Sequence, residues 1–261
     1  MQKFKLITGP CVIESKELLI EVASVIKPLA TKFDFDFTLK GSFKKANRTS
    51  ADSFTGIGDL LALGYLKEVG EMFGVKTITD VHSVEDVKMA SEFVDILQIP
   101  AFLSRQTDLL VAAGESGKIV NIKKAQFMSP YDMEKAAEKV SQTNNKDIYL
   151  TERGTFFGYN NLVVDFRSLV IMQKFGYPVI YDATHSLQQP SIGAQSGGYP
   201  EYILPLAKSA VVTGISGLFI ETHPNPKEAK SDSATQYKLT EMEHLLEIVY
   251  QLYQLNQSFK Q

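Results

Sequence analysis

The sequence predicts a closed α/β barrel of eight parallel strands, each followed by a helix. Three observations lead there. Eight short apolar runs alternate with segments of helical spacing, polar or ionisable residues stand at the C-terminal end of every run, and 261 residues suit one such barrel. Strands that alternate with helices pair in parallel through right-handed crossovers. Such units could form an open doubly wound sheet, which would concentrate its functional groups near one switch point. Here the run ends carry, in order, Cys11 and Glu14; Lys40; Asp80 and His82; Gln98; Lys123 and Lys124; Glu152 and Arg153; Asp182 and His185; Glu221 and His223. A closed ring gathers all eight ends around one mouth, where a barrel enzyme works.

The apolar runs cover residues 6–13, 35–39, 75–81, 94–99, 118–122, 148–150, 179–181 and 217–220. After the first run, Leu18, Val22, Val25, Ile26 and Leu29 fall on one helical face. After the fifth, Ser129-Pro130-Tyr131-Asp132 places a cap, then proline at the first helical position, then an acid. After the seventh, Ile203, Leu206, Ala207, Ala210 and Val211 share a face. Thr240-Glu241-Met242-Glu243 reads as a capping box opening the last helix, whose face is Leu245, Leu246, Val249, Leu252 and Tyr253. The longest non-periodic segments, 41–58, 186–198 and 225–237, each follow a strand end and are expected to overhang the mouth. No further repeat, low-complexity tract or linker divides the chain, so residues 1–261 are expected to form one domain.

Composition excludes several function classes. A formal charge of −3 supplies no protein-wide basic field, so nucleic acid is not an expected partner, although a local basic pocket for an anionic substrate is compatible with it. The single cysteine, Cys11, rules out a disulfide within the chain and fits a reducing compartment. There is no signal-peptide core and no membrane-length apolar run, so no membrane partner is expected and the cytoplasm is the expected location.

Two constellations carry chemistry. The loop after the second strand reads Lys40-Gly41-Ser42-Phe43-Lys44-Lys45-Ala46-Asn47-Arg48-Thr49-Ser50, with four cations in nine residues. Taken alone it could be a solvated basic loop. Lys123 and Arg153 end two further strands and should point at the same mouth, which is what carboxylate and phosphate groups need. The second constellation is Cys11, His185, Glu221 and Asp232. The first three end strands 1, 7 and 8, neighbours in a closed ring, and Asp232 can fold back from the loop after strand 8. Thiolate, imidazole and carboxylates suit zinc, iron or manganese. No local spacing motif supports a metal, and a lone cysteine is more often a small buried hydrophobe, so the residues alone leave both readings open. Of the four histidines, His185 has the strongest claim because Asp182-Ala183-Thr184-His185 leads into a long loop, whereas His82, His223 and His244 have bland structural readings. Nucleophile-elbow, Gly-x-Gly-x-x-Gly and Walker patterns are absent from the sequence.

The segments Gly9-Pro10-Cys11-Val12-Ile13-Glu14-Ser15, the loop of residues 40–48, Ile78-Thr79-Asp80-Val81-His82 and Gln98-Ile99-Pro100-Ala101-Phe102-Leu103-Ser104-Arg105-Gln106-Thr107-Asp108 resemble the 3-deoxy-D-manno-octulosonate 8-phosphate synthases. So do Asn121-Ile122-Lys123-Lys124, Glu152-Arg153-Gly154, Asp182-Ala183-Thr184-His185 and Phe219-Ile220-Glu221-Thr222-His223-Pro224. The resemblance implies a barrel enzyme that joins phosphoenolpyruvate to D-arabinose 5-phosphate, consumes water and releases inorganic phosphate, for lipopolysaccharide biosynthesis. It further implies that Lys45, Gln98, Lys123, Arg153 and His185 hold phosphoenolpyruvate, and that Lys40, Asn47, Arg48 and Thr49 belong to the substrate site. Thr49 stands where the family more often has serine, and both supply a hydroxyl. Arg105 would reach the sugar phosphate in a neighbouring subunit, implying a homo-oligomer, expected to be a homotetramer. The family has a metal-dependent branch with cysteine at the position of Cys11 and a metal-independent branch with asparagine there. This chain carries the cysteine, and Ser231-Asp232-Ser233-Ala234-Thr235-Gln236 also resembles the metal-dependent form, so the resemblance implies a divalent metal ion on Cys11, His185, Glu221 and Asp232. Two alternatives stand beside this. The 3-deoxy-D-arabino-heptulosonate 7-phosphate synthases use erythrose 4-phosphate, but their loop reads Lys-Pro-Arg-Thr-Ser where this chain has Lys45-Ala46-Asn47-Arg48-Thr49-Ser50. A non-catalytic sugar-phosphate-binding barrel is the other, and such a protein would be free to lose Cys11 or Asp232.

Overall fold

A computed structural model describes residues 3–46, 54–189 and 197–259. Its eight principal strands follow the predicted runs: β1 (Lys5–Gly9), β2 (Asp36–Lys40), β3 (Lys76–Asp80), β4 (Ile96–Ile99), β5 (Ile119–Lys123), β6 (Ile148–Glu152), β7 (Val179–Asp182) and β8 (Gly217–His223). Each pairs in parallel with the next, and β8 returns to β1 in a register running from Lys5 opposite Gly217 to Gly9 opposite Glu221. The sheet is therefore a closed (β/α)₈ barrel. A two-residue strand, Tyr237–Lys238, pairs in parallel with the C-terminal end of β8. Around the ring lie α1 (Lys16–Lys32), α2 (Asp59–Phe73), α3 (Val84–Ala90), α4 (Thr107–Glu115), α5 (Asp132–Ser141), α6 (Arg167–Gln173), α7 (Ile203–Val212) and α8 (Met242–Ser258). No described helix is long and apolar enough to cross a membrane.

Strand periodicity separates two cores. Ile7, Ile78, Ile96, Tyr149, Ile180 and Phe219 point inward and fill the barrel axis. The alternate strand positions face the helices and join a larger shell with Leu19, Val22, Ile26, Leu63, Leu66, Leu110, Val140, Leu245 and Leu246. Burying each such side chain stabilises the fold by roughly 1.5–3 kcal/mol. Because side chains alternate with period two, the residue two places beyond an axial one also faces inward. That rule puts Asp80 above Ile78, Gln98 above Ile96, Thr151 above Tyr149, Asp182 above Ile180 and Glu221 above Phe219. All five are buried, so the apolar plug is topped by a buried polar layer at the C-terminal mouth. Gly9 lets β1 and β2 meet there, since a Cβ on it would stand 1.9 Å from the Lys40 carbonyl oxygen.

Local readings mostly hold, with instructive exceptions. Ser15 caps α1 through Oγ, which accepts from the Leu18 N–H at 3.2 Å. The buried face of α1 is Leu18, Leu19, Val22, Ala23, Ile26 and Ala30, and Val25, expected on that face, is 37% exposed because the stripe is centred one step away. At α5 the predicted cap chemistry is present: Ser129 Oγ accepts from Tyr131 N–H and Asp132 Oδ2 accepts from Ser129 N–H, although the regular helix opens at Asp132 rather than at Pro130. The capping box expected at Thr240–Glu243 does not form. A 3₁₀ turn, Leu239–Glu241, leads into α8 instead, and the Glu243 carboxylate pairs with Lys32 at 2.8 Å. The long loops contain short hairpins that no periodicity announced, Gln188–Gln189 with Gly197–Gly198, and after β6 Thr155–Phe156 with Leu162–Val163.

Candidate active site

A hydrogen-bonded row crosses the mouth. Thr151 Oγ1 donates to Asn121 Oδ1 (2.6 Å), Asn121 Nδ2 to Gln98 Oε1 (2.8 Å) and Gln98 Nε2 to Asp80 Oδ1 (2.6 Å). Ser42 Oγ donates to the other Asp80 oxygen and accepts from Lys45 Nζ at 2.9 Å. The row fixes the side chains of four strands and delivers the Lys45 ammonium to the mouth from the loop after β2. Burial opposes that charge, but the Glu221, Asp80 and Asp232 carboxylates help to outweigh it and raise the Lys45 pKa. Asp80 in turn is held below the usual carboxylate range, because Lys45, Lys40 and Lys123 overcome its desolvation.

Opposite lies a cluster of side chains that could hold a metal ion. One donor atom each from Cys11, Glu221 and Asp232 lie within 4.8 Å of one another. Cys11 follows β1, Glu221 is on β8, and Asp232 comes from the loop beyond, where it adopts a left-handed φ of 46°. The Cys11 Sγ is 3.0 Å from Ser231 Oγ and 3.4 Å from Asp232 Oδ2. Burial, then the Asp232 and Glu221 charges, push the thiol pKa up. Glu221 Oε1 receives the Lys40 ammonium, and buried Oε2 has no hydrogen-bond partner. His185 Nε2 stands 3.5 Å from that oxygen and 3.7 Å from Asp232 Oδ2, while its Nδ1 is 2.8 Å from Asp182 Oδ2. One ring nitrogen on a carboxylate and the other toward a ligand set is how metal-binding histidines are oriented. Burial works against the imidazolium, yet Asp182 and Glu221 prevail and raise the His185 pKa.

A cationic side of the mouth is built by β5 and the end of β6. Lys123 Nζ bonds Asp182 Oδ2 at 2.7 Å and sits 3.7 Å over the Phe219 ring. Arg153 is 5% exposed, and burial lowers its pKa. Its Nη2 donates to Gln188 Oε1 at 3.0 Å, whereas buried Nη1 has no partner. An unsatisfied buried guanidinium nitrogen is costly unless an oxyanion completes it.

The structure thus brings together Cys11, Lys40, Lys45, Gln98, Lys123, Arg153, His185, Glu221 and Asp232. Lys40 commits its three donors to Glu221 and to the Cys11 and Pro10 carbonyls, at 2.6 and 3.3 Å for the latter two, so it orients the Glu221 carboxylate. Gln98 likewise has both amide ends engaged within the row. Arg105 is exposed beyond β4 and makes no hydrogen bond or ion pair through its guanidinium among the described residues. Asn47, Arg48 and Thr49 lie outside the described residues. Two strand-end residues read at the mouth face away from it: Lys124 and Glu152 are 3.4 Å apart outside the barrel wall, with Ser168 of α6 donating to Glu152. Lys44 also turns aside, to Asp86 at 2.6 Å. Burial lowers the His82 pKa, His223 accepts from Asn225 N–H at 3.0 Å, and His244 is exposed on α8. Sequence reasoning passed over Asp80 and Asp182 as site residues, although inward parity marks both. It also passed over Ser42, Asn121 and Gln188, neutral residues with no charge to announce them.

Known proteins resemble this chain over most of its length. The model of the DAHP synthetase I family matches residues 1–258. A 2-dehydro-3-deoxyphosphooctonate aldolase from Fusobacterium nucleatum is 48% identical over 252 residues, covering 96% of this chain and 91% of that protein. One from Desulfatibacillum aliphaticivorans is 51% identical over 242 residues, 92% of this chain and 89% of the relative. Another, from Bartonella bacilliformis, is 49% identical over 245 residues, with 94% and 87% covered. The chain belongs to the DAHP synthetase I family, among its 2-dehydro-3-deoxyphosphooctonate aldolases.

Proposed function

We propose that this chain condenses phosphoenolpyruvate with D-arabinose 5-phosphate and water, giving 3-deoxy-D-manno-octulosonate 8-phosphate and inorganic phosphate. One observation carries the reading: the partnerless Arg153 nitrogen and the Lys45 and Lys123 ammoniums share one mouth with the Cys11–Glu221–Asp232 cluster. Arg153, Lys123 and Lys45 hold the phosphate and carboxylate of phosphoenolpyruvate by charge-assisted bonds. Held there, its C3 attacks the sugar aldehyde carbon, and the same cations stabilise the negative charge that gathers on the aldehyde oxygen. The electron-poor C2 takes up water, and the resulting intermediate loses phosphate by breaking its C–O bond. Cys11, His185, Glu221 and Asp232 fit a divalent ion of the zinc, iron or manganese kind, since the donors of Cys11, Glu221 and Asp232 converge, His185 Nε2 faces both carboxylates and Glu221 Oε2 lacks a hydrogen-bond partner. Such an ion polarises a carbonyl oxygen or acidifies water. Lys40 and Asp182 orient Glu221 and His185 for it. The enzyme works in the cytoplasm, where the single thiol stays reduced.

Sugar length tests the reading. A five-carbon aldose phosphate carries one more hydroxyl than erythrose 4-phosphate, and Asn47 can both donate to it and accept from it. A site built around that bond loses about 1–3 kcal/mol when the hydroxyl is missing. Phosphate-release kinetics should show at least roughly a tenfold preference in kcat/KM for arabinose 5-phosphate. Equal turnover of both sugars would favour the heptulosonate synthase reading, and no phosphate release with either would favour a binding protein.

Arg105 completes the site of a neighbouring copy in a homotetramer. Its exposure and its lack of an intrachain guanidinium partner among the described residues support that role. Arg105→Ala should raise KM for the sugar phosphate roughly tenfold or more while changing that for phosphoenolpyruvate little. A sedimentation experiment finding a fully active monomer would sink the shared site.

A further inference from the structure

Gln188 joins the two halves of the mouth. Its Oε1 accepts from Arg153 Nη2 at 3.0 Å, and its Nε2 donates to Asp232 Oδ2 at 2.9 Å. Among the described residues it is the sole side chain hydrogen-bonded to the Arg153 guanidinium. The backbone around it is braced against the same loop. Gln188 pairs with Gly198 across the short hairpin, and a Cβ on Gly198 would stand 2.1 Å from Thr235 Cγ2. Thr235 in turn donates its N–H to the Asp232 carbonyl at 3.0 Å.

We infer that Gln188 is a positioning residue through which occupancy of the Cys11–Glu221–Asp232 cluster and binding of phosphoenolpyruvate strengthen each other. The inference rests on the metal and substrate reading above. A primary amide suits this position because it presents a donor to a carboxylate and an acceptor to a guanidinium at once. With one end on Asp232, the amide turns that carboxylate toward Cys11 and Glu221. With the other end on Nη2, it leaves Nη1 buried and without a protein partner. An ion that fixes Asp232 thereby fixes Gln188, and Gln188 fixes the Arg153 fork. By linkage an anion on Arg153 must return the same factor to the ion. Hydrogen bonds to a ligating carboxylate also set metal affinity, typically by 10- to 100-fold.

The test uses the full chain, stripped of metal or loaded with cobalt(II), and Gln188→Met, which keeps length and flexibility but removes donor and acceptor. Cobalt(II) affinity is read from the thiolate-to-metal absorption band, and phosphoenolpyruvate affinity by isothermal titration with and without cobalt(II). The unmodified protein should bind phosphoenolpyruvate at least about fivefold more tightly when loaded. In Gln188→Met that ratio should fall to within about twofold of one, and the cobalt(II) Kd should rise about tenfold or more. Circular dichroism checks the fold. If the methionine variant unfolds, Gln188→Asn, which keeps both groups but is too short to span both partners, should lose the ratio in the same way. A folded variant that keeps the fivefold ratio overturns the inference alone. An unmodified chain that binds both ligands independently also overturns it, and one that binds no cobalt(II) overturns the metal reading with it.

Discussion

Arg153→Lys is expected to lower kcat/KM for phosphoenolpyruvate by roughly 10²- to 10³-fold while the barrel stays folded. The guanidinium is buried, holds Gln188 with one nitrogen and keeps the other without a protein partner. Lysine preserves the charge but not the planar fork, so it cannot hold Gln188 and reach an oxyanion with parallel donors. Losing one or two hydrogen bonds to a charged group, at about 1.5–3 kcal/mol each, sets the magnitude. Substrate saturation kinetics supply the measurement, with far-ultraviolet circular dichroism as the fold control. A lysine variant within threefold of the unmodified enzyme would remove Arg153 from the phosphoenolpyruvate site.

Chelation is expected to have a comparable effect. Prolonged treatment with a strong chelator should reduce turnover at least about 10²-fold, equivalent to about 2.7 kcal/mol of barrel-mouth chemistry, and a divalent ion should restore it. Without an ion, two carboxylates and a buried thiol stand within 4.8 Å, and one carboxylate oxygen is left without a partner. Elemental analysis before and after treatment, alongside activity, makes the check. Full activity in protein shown to be free of metal would refute the assignment. Cys11→Asn should fold and lose the cobalt thiolate band, since no other thiol exists in the chain.

The barrel was legible because strand and helix periods differ and because every run ended in a polar residue, as β7 does at Asp182 and β8 beyond Glu221. Convergence of Cys11, Glu221 and Asp232 was legible only after ring closure had been inferred, since those residues have no local spacing to read. Lys124 and Glu152 show the limit of counting strand ends: adjacent residues on a strand face opposite ways, so Lys123 at the mouth sends Lys124 to the outer wall. Gln188 shows another limit. It is a neutral residue in a loop, and what sets it apart is the pair of partners it bridges, both distant in sequence. Helix boundaries were read less well than helix faces, as at Thr240, because a 3₁₀ turn takes up the entry to α8 and Lys32 draws the Glu243 carboxylate away from the backbone donors a capping box would serve.

The ring closes between the first strand and the last, and this has a bearing on how the molecule is born. Cys11 and Asp232 are separated by 221 residues. At a synthesis rate of about 5–20 residues per second, the thiol emerges from the ribosome roughly 10–45 s before its carboxylate partner. For most of that interval β1 lacks β8, and throughout it Cys11 lacks Ser231, Asp232 and Gln236, which meet it in the finished protein. A chain interrupted before Glu221 can neither pair β1 with β8 along its full register nor bring Glu221 and Asp232 to Cys11.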